Sequence, residues 1–183
     1  MQHLPGQAAK AGVDINSCYQ CGKCTAGCPL AFAMDYGPRQ IVRFLQLGWW
    51  TEALGARSIW LCAACDLCSA RCPRGVNPAR LMDWLRAEAG KRGMISEPEI
   101  KTFNDIFLKL VQRDGRLSEA ELAIRFNLAT GQPFKDALLA PTLLRRRKMH
   151  LLPRRIKGRK ILRRVMARAS QPAGTAEKGA END

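Results

Sequence analysis

The stretch Cys18–Pro29, CYQCGKCTAGCP, sets four cysteines in a C-x2-C-x2-C-x3-C-P pattern, and Cys62–Pro73, CAACDLCSARCP, repeats that spacing residue for residue. These eight are all the cysteines of the 183-residue chain. The pattern has a physical logic. Three thiolates on one short loop can wrap three corners of a cubic cluster, while the fourth, held at the end of the run, points away. This is the spacing by which bacterial two-cluster ferredoxins bind 4Fe-4S clusters, the fourth cysteine serving the other cluster. On that reading Cys18, Cys21, Cys24 and Cys72 hold cluster one, and Cys62, Cys65, Cys68 and Cys28 hold cluster two. Pro29 and Pro73 stop a helix from running through the last ligand and remove an amide, and Gly22 and Gly27 let the backbone come close to sulfide. Amides left free in such loops stabilise an anionic cluster.

Soft thiolates select zinc as well as iron-sulfur clusters, so a zinc-stapled helical module is the alternative. Four-cysteine zinc sites need two ligands from each C-x2-C pair, and the tandem third and fourth cysteines with proline exceed that need. A disulfide framework belongs to secreted chains. The N-terminus, MQHLPGQAAKAGVDINS, has neither the charged-then-apolar layout nor the cleavage site of a secretory signal, and no apolar run is long enough to span a membrane. The expected location is the cytoplasm, where eight cysteines mean metal or redox chemistry.

Working outward, the connector between the runs reads as helix and not as a β-hairpin. Pro38 suits a first helical position, and Ile41, Val42, Phe44 and Leu45 make a broad apolar face that ends at Gly48. After the second run, Asn77 and Pro78 form an N-cap and first-turn pair, with Leu81, Met82, Leu85 and Ala89 at helical spacing up to Gly93. Ser96 with Glu99, and Ser118 with Glu121, have the spacing of capping boxes for two further helices ending near Gly115 and Gly131, with Leu117 and Leu122 at the positions of a hydrophobic staple. No segment alternates with period two, so the chain is expected to be almost wholly α-helical.

The net charge of +14 is concentrated: residues 145–168 hold twelve Arg or Lys and no Asp or Glu, leaving about +2 elsewhere. Within this segment Ile161, Leu162, Val165 and Met166 share a helical face flanked by Arg159, Lys160, Arg163 and Arg164. Such a segment fits nucleic acid through phosphate contacts, an anionic membrane surface, or an acidic partner protein. The last residues, SQPAGTAEKGAEND, are small and polar, which predicts disorder. His3 and His150 lie in the N-terminal extension and the basic segment and read as solvated. There is no dinucleotide fingerprint, phosphate-binding loop or nucleophile elbow, and nothing points to a substrate turned over by this chain alone.

With these residues in view the chain resembles the C-type iron-sulfur subunit of heterodisulfide reductase and its bacterial relatives. The likeness rests on CYQCGKCTAGCP, YGPRQIVRFLQLG and IWLCAACDLCSARCPRGVNP, and more loosely on LLPRRIKGRK. It implies an α-helical ferredoxin fold with two 4Fe-4S clusters. It also implies a relay of electrons between an A-type partner, a flavoprotein with iron-sulfur centres, and a B-type partner, cysteine-rich and catalytic, whose own motifs this chain lacks. Among soluble relatives the preferred context is the sulfur-oxidising type; iron-sulfur subunits of glycolate or glycerol-3-phosphate dehydrogenase complexes are the alternative. The resemblance favours a partner protein over nucleic acid as the target of the basic segment, with Arg145, Arg146, Arg147, Arg154, Arg155, Lys157, Arg159 and Lys160 as docking residues. The expected organisation is an N-terminal extension (1–16), a ferredoxin core (17–93), a helical extension (94–140), the basic docking segment (141–169) and a disordered tail (170–183).

Overall fold

A computed structural model describes residues 12–133, 156 and 158–169. The expectations placed on residues 1–11, 134–155, 157 and 170–183, among them the docking roles of Arg145, Arg146, Arg147, Arg154, Arg155 and Lys157, lie outside the described residues. All regular structure among the described residues is helical. The chain divides into two compact units, residues 1–101 and 102–183, and none of the described helices is long and apolar enough to cross a membrane.

The first unit holds all eight cysteines. Each run closes into one helical turn, α1 (Lys23–Ala26) in the first. A 3-10 turn at Ala31–Ala33 follows, then α2 (Pro38–Gln46), with proline at its start, where the missing N–H costs nothing. Short helices α3 (Trp50–Gly55) and α4 (Ser58–Leu61) lead into the second run. That run forms α5 (Leu67–Ala70), and α6 (Pro78–Lys91) leaves it.

The expected apolar faces make the core. α2 buries Ile41, Val42 and Leu45, and α6 buries Leu81, Met82, Leu85 and Ala89. Around them pack Val13, Ile15, Trp50, Leu54, Ile59 and Trp60. Each such aliphatic side chain removed from water contributes about 1.5–3 kcal/mol. Trp50 and Trp60 are buried as packing residues, whereas Trp49 is half exposed and lies against Phe44 with ring centroids 5.9 Å apart.

The structure extends the repeat beyond the cysteines. PRQIVRFLQ of α2 and PARLMDWLR, the first nine residues of α6, match in register: Pro38 with Pro78, Ile41 with Leu81, Val42 with Met82, Phe44 with Trp84, Leu45 with Leu85, Gln46 with Arg86. The two cysteine runs are 44 positions apart and the two helices 40, because the link from Pro29 to α2 carries four residues more than the link from Pro73 to α6.

In the second unit, α7 (Pro98–Asp114, which begins in the first unit) is followed by α8 (Glu119–Ala129), and α9 is Arg159–Ala169. Helix α9 forms where the amphipathic pattern places it, but only half of the expected apolar face is covered: Leu162 and Met166 are half-buried, whereas Ile161 and Val165 are exposed. Arg163 donates to the carbonyls of Gln112 and Arg113 in the last turn of α7, where acceptors are otherwise unpaired. The two capping boxes do not form. Ser96 gives its hydroxyl to the Gly55 carbonyl. Ser118 makes no side-chain cap, and the Glu121 carboxylate, the other half of the box, is drawn instead to Arg113 and Arg125.

Candidate metal centres

The backbone of both cysteine runs is bent the same way. Gln20 and Gly22 in the first run, and Ala64 and Asp66 in the second, all have φ between +51° and +83°. For Gln20, Ala64 and Asp66 this left-handed conformation costs about 1–2 kcal/mol each. It is recovered in geometry: two left-handed residues in alternation curl the loop around the space its cysteines enclose and start α1 and α5 inside it. Gly22 and Asp66 are the residues that enter those helices.

Each run is then tied to the helix that follows it. The Thr25 hydroxyl accepts the N–H of Arg39 (3.0 Å), and the Ser69 hydroxyl, one repeat on, lies 3.4 Å from the N–H of Ala79. Both are second-position amides, left unpaired by the helix itself. Asn77 caps α6 through the Arg80 N–H (2.9 Å), while Gly37, lacking a side chain, is held through its N–H by Gln40 (2.9 Å). The contact at Gly37 is too close for any side chain: a Cβ there would sit 2.5 Å from Cγ2 of Thr25.

The first cysteine of each run is held from behind. Gln46 donates to the carbonyls of Ile15 and Cys18, both at 2.9 Å, and Arg86 donates to those of Ile59 (2.8 Å) and Cys62 (2.6 Å). A further tie binds the second run to the loop after the first. The Asp35 carboxylate accepts the N–H groups of Arg57 and Ser58 at the start of α4 (2.8 and 2.9 Å), together with the Ser58 hydroxyl. Cys62 follows directly from that helix and donates its own N–H to the Ser58 carbonyl.

Two cavities result. One is lined by Cys18, Cys21, Cys24 and Cys72, with Val42, Val76 and Pro73 among its other walls. The other is lined by Cys62, Cys65, Cys68 and Cys28, with Met34, Met82 and Pro29. The fourth cysteine of each run therefore stands in the cavity of the other. Helices α1 and α5 pack together, and Cys24 is near enough to Cys68 to add to the rise in its pKa.

The thiols are poorly solvated. Burial pushes Cys68 up to about 11 against a weaker opposing hydrogen bond from the Ser69 hydroxyl, and burial also raises Cys24 and Cys62. A buried thiolate needs a cation, which a metal supplies. Gln20 places its amide 3.5 Å from the Cys18 sulfur. Among the described residues no three His, Cys, Asp or Glu side chains close on a point where a single metal ion would sit. Four soft donors around a walled cavity, with backbone curled about it, fit a multi-atom iron-sulfur cluster. The ties from Gln46, Arg86 and Asp35 carry no motif of their own. Aligning the two helix-opening prolines places Gln46 and Arg86 at one register but does not disclose the carbonyls they hold.

Comparison with known proteins agrees with an iron-sulfur role for these cysteine runs. Residues 14–76 match the family described as a 4Fe-4S dicluster domain, which implies two 4Fe-4S clusters. The chain is 38% identical over 85 residues to the C-type iron-sulfur subunit of the CoB--CoM heterodisulfide reductase of Methanopyrus kandleri, an alignment covering 46% of this chain and 44% of that one. It is 34% identical over 101 residues to the C-type subunit of the H(2):CoB-CoM heterodisulfide,ferredoxin reductase of Methanothermobacter thermautotrophicus, covering 55% and 54%. It is 41% identical over 82 residues to the C-type subunit of the ferredoxin:CoB-CoM heterodisulfide reductase of Methanosarcina acetivorans, covering 45% and 33%. The chain thus spans about half the length, or less, of these three relatives. The likeness to the C-type subunit of heterodisulfide reductase, and the helical iron-sulfur fold it implied, are borne out.

Proposed function

We propose that the chain is the electron-transfer subunit of a heterodisulfide reductase-like complex. In this reading it relays electrons between a flavin-bearing iron-sulfur subunit and a cysteine-rich subunit that handles disulfide chemistry, in the sulfur metabolism of the cytoplasm. Cluster one is held by Cys18, Cys21, Cys24 and Cys72, and cluster two by Cys62, Cys65, Cys68 and Cys28. The observation that carries the reading is the lining of the two cavities, each by three cysteines of one run and the last cysteine of the other.

A bound 4Fe-4S cluster supplies reversible one-electron chemistry, at potentials that its surroundings set between roughly −700 and +450 mV. The protein's own residues do the rest. The thiols bind as thiolates, so loading releases protons that burial otherwise holds on Cys24, Cys62 and Cys68. Val42 and Val76 at one site, and Met34 and Met82 at the other, exclude water. The packed pair α1 and α5 keeps the two sites adjacent, and the crossed fourth cysteines make each site depend on both runs. Arg159 and Lys160, on α9, together with the basic residues that precede them, dock an acidic face of a partner protein.

Anaerobic purification or reconstitution should give roughly eight irons and eight sulfides per chain. Zinc without iron, under conditions that load iron-sulfur clusters into a control ferredoxin, would refute the reading. Co-purification of a flavoprotein and a cysteine-rich partner would identify the complex. If salt-dependent binding to DNA or RNA at physiological ionic strength replaced that partnership, the basic segment would have to be reassigned.

A further inference from the structure

The two halves of the cluster-binding unit match closely, and one matched pair differs in charge. Gln46 in α2 and Arg86 in α6 occupy the same register of the repeated helix, counted from Pro38 and Pro78. Both hold the same two carbonyls, that of the first cysteine and that of the isoleucine three residues before it: Ile15 and Cys18 for Gln46, Ile59 and Cys62 for Arg86. Gln46 shows that a neutral amide suffices for this clamp. The positive charge of Arg86 is therefore additional to what the clamp requires.

Resting on the two-cluster reading, we propose that Arg86 is a positioning residue whose charge raises the reduction potential of the site formed by Cys28, Cys62, Cys65 and Cys68, biasing the shared electron toward it. The exchange is internal and balanced: one electron leaves the site of Cys18, Cys21, Cys24 and Cys72 as one enters the other, with no proton or further reactant. Reduction adds one negative charge to the site of Cys62, whose carbonyl the guanidinium holds at 2.6 Å, and the nearby positive charge favours the reduced form. The Arg86 side chain is 23% exposed, so solvent screens it only in part.

Other charges set the size of the effect. Asp83, 55% exposed, lies 3.7 Å from Arg86 and offsets part of its field. Asp66 lines the same cavity, and the exposed Lys23 and Arg39 line the other. All four stay in place when Arg86 is changed, so their contributions cancel in the comparison. A unit charge a few ångströms away in a medium of effective dielectric about 20 acts on the kcal/mol scale. With solvent screening the exposed part of the Arg86 side chain, the expected change is about tenfold in the partition of the electron, equivalent to about 59 mV for a one-electron couple.

The test is an anaerobic, EPR-monitored redox titration of the cluster-loaded full chain, with the two sites identified from the spectra of Cys21→Ser and Cys65→Ser. Arg86→Gln, which keeps the amide donor that Gln46 uses, should lower the midpoint of the Cys65 site by about the equivalent of a tenfold partition and leave the other unmoved. Arg86→Lys should retain most of the wild-type midpoint. Gln46→Arg should raise the midpoint of the Cys21 site. Full iron content in Arg86→Gln with both midpoints unchanged overturns the proposal, as does Arg86→Lys shifting as far as Arg86→Gln. If Arg86→Gln fails to load, Gln46→Arg decides: an unmoved Cys21-site midpoint overturns it. Absence of iron-sulfur clusters from the wild-type chain is a different result, and refutes the two-cluster reading instead.

Discussion

Removing the Asp35 carboxylate should weaken the second site without touching any of its ligands. Asp35 lies after the first cysteine run and accepts the backbone N–H groups of Arg57 and Ser58, that of Tyr36 (2.9 Å) and the hydroxyl of Ser58. It thereby acts as a non-local cap on α4, the helix that ends at Cys62. Ser58 is fully buried, so its hydroxyl would lose an acceptor that water cannot replace, although it still accepts the Tyr36 N–H (3.0 Å). Asp35 itself is exposed, so each bond is counted near the middle of the net range, about 1 kcal/mol. Three of the four donors lose their acceptor, since the Tyr36 N–H keeps the Ser58 hydroxyl, so Asp35→Ala should cost about 3 kcal/mol, and Asp35→Asn, which keeps an oxygen acceptor without the charge, about half as much. The assay is an anaerobic urea titration of the cluster-loaded protein, followed by cluster absorbance and far-ultraviolet circular dichroism. The pH dependence has a definite sign. Burial opposes the carboxylate, but the hydrogen bonds from Ser58, Arg57 and Tyr36 outweigh it and hold its pKa below the ordinary value. A depressed carboxylate contributes its full stability above the unfolded pKa of about 3.9 and loses it as the pH falls toward the folded value. The gap between wild type and Asp35→Asn should accordingly close on acidification below about pH 4. An unchanged urea midpoint for Asp35→Ala, with full iron at both sites, would refute this account of Asp35.

Three further outcomes are expected. Gly37→Ala should destabilise the first unit by about 1–3 kcal/mol, the usual cost of overpacking, because the new Cβ meets Thr25 Cγ2; Thr25→Ser, which removes that methyl, should recover part of the loss in the double variant, as a urea titration would show. Leu85→Ala, at a site with no solvent exposure in the centre of α6, should cost about 2–5 kcal/mol and speed cluster loss from both sites, read as bleaching in urea. Glu121→Gln should weaken the ion pairs to Arg113 and Arg125. Those pairs, Arg113 foremost, hold the Glu121 carboxyl below its ordinary pKa, so the difference from wild type should vanish as the pH falls through the carboxylate range.

What the sequence disclosed follows from how local each feature is. The cysteine runs and the proline-led helices are written in short stretches, and Pro38 and Pro78 open α2 and α6 as their spacing requires. The apolar faces at Ile41, Val42, Leu45 and at Leu81, Met82, Leu85 were legible because helical periodicity needs no knowledge of the partner helix. The likeness of α2 to α6 stayed hidden because few residues are identical and the preceding links differ by four residues. The capping boxes were misread because Ser96 and Glu121 found stronger or nearer partners in the folded chain, Gly55 and Arg113. The ties from Gln46, Arg86 and Asp35 to backbone groups 22 to 31 positions away depend on tertiary placement and leave no mark in a local pattern.

The exchange of fourth cysteines is the claim on which the two-site account depends, and one comparison of spectra tests it. Cys72→Ser belongs by sequence to the second run and by cavity to the first site. After anaerobic loading it should reproduce the spectrum of Cys21→Ser, with the site of Cys62, Cys65 and Cys68 intact. If it reproduced the spectrum of Cys65→Ser instead, each run would be holding its own cluster, and the crossed assignment would be wrong.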